Sequence, residues 1–334
     1  MQQHDKFTVA KTTLLKFASL TSPESMQFRD CSKGCDNLVF VGTVVASGVS
    51  YVFRSPRKPQ EERPHAGHDA ASQYHLLRLF RDEGGQCPEP LALGHDQSGC
   101  DWCIESFVGE MDLGEAAQRG GLQSEQTLVV WRQVGHCLRA FHTIETRGLG
   151  NLQAVDGNVL VGKSEGSVSD FFEWFCNDFK ACVGNALSAG GIDEHEAQAM
   201  MDLLDVSAPH LHSLARAGPV HCDLSTSNVR VACGPSSRDL RFAGLIDFAD
   251  VMIGDPWMDF GQLWADALGD SGPMLAVMEG YGASTEFSKS QDAVLRVYAI
   301  WSQIWQVGDG VSSESQKWAS CMRKLLCEPL PLHH

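Results

Sequence analysis

HCDLSTSN, residues 221–228, is the stretch on which the fold turns. It follows the apolar step Pro219-Val220 and precedes VRVA, so it reads as strand, tight loop, strand. In such a loop the side chains of Asp223 and Asn228 can converge on one point. Asp and Asn are hard oxygen ligands and weak bases, the groups that handle a hydroxyl proton and a magnesium ion. Downstream, IDFAD (246–250) closes the apolar strand LRFAGLIDF (240–248), after a turn at Gly234-Pro235-Ser236-Ser237. Pairing the two strands as a hairpin sets Asn228 beside Asp247. Three carboxylate or amide oxygens then line one cleft, with Asp223 left to face an acceptor. That arrangement suits phosphoryl transfer, where the protein holds Mg²⁺ on nucleotide phosphates and positions a hydroxyl in line.

Each piece alone has a plain structural explanation. H-x-D-x-x-x-x-N occurs by chance, GDP at 254–256 is a common turn, and His142 on an apolar helix face reads as a core histidine. The weight lies in the segments coming in order.

Working outward, LVFVGTVVASGVSYVFR (38–54) reads as a hairpin around Ala46-Ser47-Gly48. The polar, Pro-rich 55–69 reads as a loop, and ASQYHLLRLFRDEG (71–84) as a helix stopped by Gly84-Gly85. Two more strands fall within 87–110, so 25–107 reads as strand–strand–strand–helix–strand–strand, a small antiparallel sheet with one helix. Beyond Gly109 helices dominate: 124–145, 169–187, 193–214 and most of the chain after Pro256. The Gly-, Asn- and Ser-rich 147–168 reads as a loop. The expected class is therefore α+β: a sheet-rich N-terminal lobe over 1–107 and a larger, mainly helical lobe over 108–334.

Composition reads as that of an ordinary soluble globular protein. The 334 residues are 43% hydrophobic and 20% charged, enough for two lobes around a sizeable core. No apolar run reaches the roughly 18–20 residues that span a bilayer, and the amphipathic N-terminus lacks a signal-peptide core. A cytoplasmic location is expected. A net charge of −16 repels nucleic acid and anionic membranes and attracts cationic ligands. The 12 cysteines follow no disulfide framework. Cys31/Cys35 and Cys100/Cys103 have ligand-like spacing, but no zinc-knuckle turn chemistry flanks them.

HCDLSTSN followed by GLIDFADVMIGDPWMDF resembles the aminoglycoside phosphotransferase family, small-molecule kinases with a protein-kinase-like fold. A thinner likeness covers KGCDN (33–37), YVFR (51–54), CIESFVG (103–109) and LRAFHTIE (138–145). The resemblance implies a bilobal protein-kinase-like fold and roles for individual residues. Asp223 would be the base or orienter for the acceptor hydroxyl, and Asn228 and Asp247 would ligate Mg²⁺. His221 would brace the loop. Asp255 and Asp259 would be structural, one tying the catalytic loop and one capping the next helix. Gly34, Asp36 and Asn37 would form the phosphate-covering turn, and Arg54 would be the strand cation. Glu105 and Phe107, with Ser106, would give hinge backbone groups to the base of ATP or GTP.

Three positions depart from the family pattern. Cys222 replaces a glycine and fits if its backbone needs no positive φ. The strand cation is Arg54 rather than lysine; Arg can clamp phosphates bidentately. Gln73 stands where the family's helix carries the glutamate that pairs with that cation, and Asp69 could substitute. Trp257, Trp264, Trp301 and Trp305 read first as core, with Trp301 and Trp305 able to wall an acceptor pocket. Asp250, Asp266 and Asp270 could bind amines or simply lie at the surface.

The implied activity is transfer of the γ-phosphoryl group of ATP or GTP to a hydroxyl of a small, cationic molecule, first an aminoglycoside-type antibiotic. A macrolide, hygromycin-like or metabolite kinase is the alternative within the fold. A catalytically weak, nucleotide-binding pseudokinase is the alternative of another class.

Overall fold

A computed structural model describes residues 3–31, 37–57, 70–96, 99–120, 124–234, 240–308 and 313–327. The chain opens with helix α1 (Gln3–Phe17). Strands β1 (Met26–Asp30), β2 (Asn37–Val44) and β3 (Ser50–Pro56) follow, then α2 (Ala70–Asp82), β4 (Pro90–His95) and β5 (Asp101–Ser106). The five strands form one antiparallel sheet in the order β1-β2-β3-β5-β4. This is the strand and helix order read from 25–107. It gains one element: α1 lays Ala10 and Leu14 against Met26, Leu38, Phe40, Phe53 and Ile104. The sheet thus carries a second helix beside the expected one. Charged and threonine residues crowd α1, so its periodicity is faint and the sheet supplies its apolar partners.

Helix α2 turns Leu76, Leu77 and Phe80 inward, where Phe80 meets Phe141 and Phe248 edge-on at 5.0 and 5.6 Å. It therefore packs on the second lobe as well as on its own sheet.

That lobe begins with β6 (Met111–Asp112), α3 (Leu113–Gly120) and α4 (Ser124–His142). Next come β7 (Thr146–Arg147), β8 (Leu149–Asp156) and β9 (Val159–Ser164), then α5 (Phe171–Ser188) and α6 (Glu194–His212). The segments HCDLSTSN and IDFAD lie among β10 (Gly218–Val220), β11 (Val229–Cys233), β12 (Leu240–Leu245) and β13 (Met252–Gly254). Helices α7 (Trp257–Asp266), α8 (Ser271–Tyr281), α9 (Lys289–Gln303), α10 (Trp305–Gly308) and α11 (Ser313–Cys327) complete it. Strands β11 and β12 form the expected hairpin, extended by β6; β10 and β13 join β8, β9 and β7 in a second sheet.

The expectation of a loop over 147–168 is corrected: most of it is β7, β8 and β9. Gly148 and Gly150 take φ of +80° and +78°, and β8 slips register twice against β9. Those irregularities break the alternation that marks a strand, leaving Leu149, Leu152 and Leu160 as its buried anchors.

Helices α4 and α8 cross almost backbone to backbone. A Cβ on Gly280 would collide with the backbone of Arg132, and one on Gly135 with that of Val277. Replacing Gly280 with alanine is expected to force the helices apart and cost about 1–3 kcal/mol of stability, read as a lower urea midpoint. No helix of the described residues is long and apolar enough to cross a membrane.

Candidate active site

The loop between β10 and β11 is held from beneath by one carboxylate. Asp259, fully buried in the first turn of α7, accepts the backbone N–H of His221 (3.0 Å) and of Cys222 (3.0 Å). The same carboxylate takes Nε2–H of His142 at 3.0 Å, while Nδ1 of that ring lies 3.2 Å from the Tyr281 hydroxyl. His142 is thus the buried core histidine read from sequence, spent on holding Asp259. Gln262, one turn further along α7, accepts the N–H of Leu224 at 2.6 Å.

His221 locks the loop's interior. Its Nε2 donates to the carbonyl of Ile246 at 3.0 Å, and its Nδ1 faces the N–H of Asp223 at 3.3 Å. That pattern needs a neutral ring protonated at Nε2. Burial lowers the ring's pKa and outweighs nearby Asp259, which acts to raise it.

Across the hairpin the N–H of Ile246 bonds the Asn228 carbonyl at 3.0 Å, so Asn228 and Asp247 come from paired strand ends. Asn228 Nδ2 donates to Asp223 twice, to the carboxylate Oδ2 at 2.6 Å and to the backbone carbonyl at 2.8 Å. Those two bonds fix the amide's orientation and keep Oδ1 out of them. Asp247 sits at φ +63° and its Oδ1 accepts Arg54 Nη1 at 3.0 Å. The three residues are brought to one place.

Burial pushes the Asp223 carboxyl up to about 7, with the Asp247 and Asp250 charges adding to the shift and the Asn228 hydrogen bond opposing it. A group of that kind can accept a hydroxyl proton near neutral pH. The donors also fit Mg²⁺: one carboxylate and one amide oxygen, both hard, beside a groove open to phosphates. Among the described residues no cluster of three His, Cys, Asp or Glu side chains is placed to enclose a metal.

Cys222 stands at φ +62°, so the condition placed on it from sequence is not met. A non-glycine residue in this region carries strain. The bond from its N–H to Asp259 holds it there.

A groove of about 430 Å³ opens over these side chains. Val39, Val41 and Val52 from β2 and β3 face it, with Ile246, Asp223 and Asp247 on the opposite wall and Asn37 and Arg54 nearby. Ser106, Phe107 and Val108 form its back edge. Glu105 differs from its expected role: its backbone lies inside the ladder, opposite Val52 and Pro90, and its 1% exposed side chain turns toward Arg54. The N–H groups of Ser106 and Phe107 already bond the carbonyls of Glu89 (2.8 Å) and Ser50 (3.3 Å). Gly34, Asp36 and Asp69 lie outside the described residues. Gln73 is buried on α2 and, among the described residues, makes no hydrogen bond to Arg54; the cation's carboxylate partners there are Asp247 and Glu105.

Sequence reasoning missed Arg29 and Arg230, whose guanidinium carbons lie 6.0 and 5.4 Å from the Phe107 ring at the groove's edge.

A second cavity, about 240 Å³, lies beside the loop and shares Asp250 with the groove. Asp178, Cys182, Cys222, Met252, Gln262 and Trp301 are among its walls. The Trp301 indole N–H donates to Asp178 Oδ2 at 2.7 Å, so Trp301 does wall this cavity. Trp264 is core, Trp257 packs against His210 and Phe287, and the Trp305 side chain lies outside the described residues. Asp255 plays the helix-end part: Oδ1 takes the N–H of Trp257 at 3.0 Å, and Oδ2 the Tyr298 hydroxyl at 2.8 Å.

The chain resembles solved kinases along nearly all of its length. A thermostable mutant of the aminoglycoside phosphotransferase APH(4)-Ia, in ternary complex with ADP and hygromycin B, superposes with a TM-score of 0.62 at 16% identity, covering 95% of this chain and 97% of that one. A GDP complex of a mutant aminoglycoside 2'-phosphotransferase-IIIa gives 0.62 at 17% identity, over 96% and 95%. A choline/ethanolamine kinase family protein from Mesorhizobium loti gives 0.57 at 14%, over 97% and 94%. No curated protein matches the sequence. At these identities the likeness shows a shared protein-kinase-like fold. The family model described as the phosphotransferase enzyme family matches residues 27–292, which takes in both sheets of the site, the loop of Asp223 and the hairpin of Asn228 and Asp247, and the chain belongs to that family.

Proposed function

We propose that the chain moves the γ-phosphoryl group of ATP or GTP to a hydroxyl of a small cationic molecule, with an aminoglycoside-type antibiotic as the first candidate. The observation that carries this reading is the convergence of Asp223, Asn228 and Asp247 between a nucleotide-sized groove and an acidic cavity. In this reading the sheet-rich residues 1–107 hold the nucleotide and residues 108–334 supply the catalytic loop and acceptor cavity.

The base lies between the valines of β2 and β3 and the Ile246 side, against the Phe107 edge. Arg54 and Asn37 meet the phosphates, and the turn containing Gly34 and Asp36 covers them. Asn228 and Asp247 would hold Mg²⁺, which neutralises charge on the phosphate oxygens when bound. Asp223 orients the acceptor hydroxyl and takes its proton as the new O–P bond forms and the bond from the γ-phosphorus to the bridging oxygen breaks, releasing the nucleoside diphosphate. Asn228, by its bond to Oδ2, keeps that carboxylate in one rotamer, and His221 and Asp259 keep the loop's backbone from moving. Fixed placement of the reacting groups is the main contribution a protein makes to this reaction.

Asp178 and Asp250, with the face of Trp301, favour an acceptor that carries an amine. APH(4)-Ia binds hygromycin B in the corresponding fold, which supports an antibiotic and a resistance role. Purified protein with Mg²⁺ and ATP or GTP, tested against aminoglycosides, macrolides and amino alcohols, decides the matter by acceptor-dependent release of nucleoside diphosphate. Tight nucleotide binding with no turnover on any acceptor would make the chain a binding module instead. With an active acceptor in hand, Asp178→Asn is expected to raise its KM about 10- to 100-fold, the worth of one charged hydrogen bond, with the nucleotide KM unchanged.

A further inference from the structure

We propose that Glu105, a strand residue, is the positioning residue for Arg54, in place of a helix-borne carboxylate. The proposal rests on reading the groove as the nucleotide site, and adds to it the group that aims the phosphate-facing cation.

Arg54 and Glu105 lie on neighbouring strands. Arg54 is opposite Cys103 in the β3–β5 register and Glu105 opposite Val52, which makes them diagonal neighbours on one face of the sheet. Long side chains reach each other at that spacing. Both are buried, at 6% and 1% exposure, and Nε of Arg54 stands 3.7 Å from Glu105 Oε1. That Nε is buried and has no hydrogen-bond partner among the described residues, so its attraction to Glu105 is a charge interaction across a short gap. Burial works against the guanidinium charge, but Glu105 and then Asp247 outweigh it and hold Arg54 ionised. The neighbouring Cys103 thiol, which burial and the Glu105 charge keep protonated, donates to Oε1 at 3.4 Å. The carboxylate therefore has a fixed place of its own.

The second partner of Arg54 is not dispensable to the site in the same way. In the proposed reading Asp247 would turn to the cation, and a loaded site would then leave Nη1 without it. A buried guanidinium left without a counter-charge is costly. Glu105 is the carboxylate that stays, on the Nε side, leaving Nη1 and Nη2 to turn to phosphate. Because the pair spans two hydrogen-bonded strands, the aim of Arg54 does not depend on where α2 sits. Gln73, on α2, has no charge to contribute.

The test has two readouts. In the ligand-free protein, a double-mutant cycle of Arg54→Met and Glu105→Gln measures the pair itself by thermal unfolding. The double variant is expected to unfold at a higher temperature than the sum of the single shifts requires; strictly additive shifts overturn the pairing. This holds whether or not nucleotide binds, so a wild-type protein that binds neither Mg²⁺-ATP nor Mg²⁺-GTP sinks the groove reading while the cycle still judges the pair. With a nucleotide that binds, Glu105→Gln, nearly the same shape without the charge, is expected to raise its KM at least tenfold with the acceptor KM unchanged. Gln73→Ala and Asp69→Asn are expected to change it less than twofold. A tenfold effect from either of those two, with none from Glu105→Gln, returns the role to the helix side and overturns the proposal. An unchanged nucleotide KM in Glu105→Gln overturns it as well.

Discussion

Asp223→Ala is expected to lower acceptor-dependent phosphoryl transfer by about 10²- to 10⁴-fold, the range a positioned acid–base group supplies. Nucleotide affinity should hold, because Asp223 meets the acceptor side and the substitution removes a negative charge from beside the phosphates. The expected signature is therefore a collapse of kcat with the nucleotide KM little changed. The same residue gives a sign for pH. In the metal-free protein its carboxyl titrates near 7, raised first by burial and then by Asp247 and Asp250. The folded protein thus keeps a proton that the unfolded chain, with a carboxyl near 3.9, has released. Between those two values the native state binds more protons, so this residue's contribution to stability falls as pH rises from about 4 to 7. Denaturation of the metal-free protein across that window should show the loss, and Asp223→Asn should remove it. Carboxyl-carbon NMR should find the group titrating near 7, and Asp250→Asn should move it to lower pH.

Asp259→Ala carries the largest expected cost to the fold, about 3–5 kcal/mol, because it leaves buried donors without their acceptor at about 1–3 kcal/mol each. Three donors depend on that carboxylate: the N–H groups of His221 and Cys222, and Nε2 of His142. The His221 and His142 donors are buried away from water, so neither finds a replacement. The His221–Cys222 backbone would lose the tie that holds Cys222 at positive φ, and Asp223 is the next residue. Urea unfolding gives the stability term. Activity should fall further than that term explains, and at temperatures where the variant is still folded, because the loop that presents Asp223 has lost its anchor.

Much of this was legible in the sequence because the informative residues are local. HCDLSTSN and IDFAD lie on two strands of one hairpin, so spacing alone sets Asn228 near Asp247. The family resemblance gave Asp255 and Asp259 one helix-end and one loop-tying role without dividing them, and the structure gives the loop to Asp259 and the helix end to Asp255. What was not legible depends on neighbours distant along the chain. The partner of Arg54 was sought on α2, whereas the register of β3 against β5 brings up Glu105. Residues 147–168 hid their strands because glycines at positive φ and two register slips erase the alternation. The N-terminus was legible as an amphipathic stretch, but not that α1 lays Ala10 and Leu14 on the sheet, because its partners lie on β1, β2, β3 and β5. The strain at Cys222 follows from a bond to a side chain on α7, which no pattern around the cysteine announces.

The contact between Arg54 and Asp247 joins a strand of one lobe to the hairpin of the other. A tie of that kind restrains how far the two halves swing apart. In the proposed reading a divalent ion at the same carboxylate would compete with it, so loading the cleft would also loosen the restraint, and protein holding the ion alone should sample a wider range of lobe angles than protein without it.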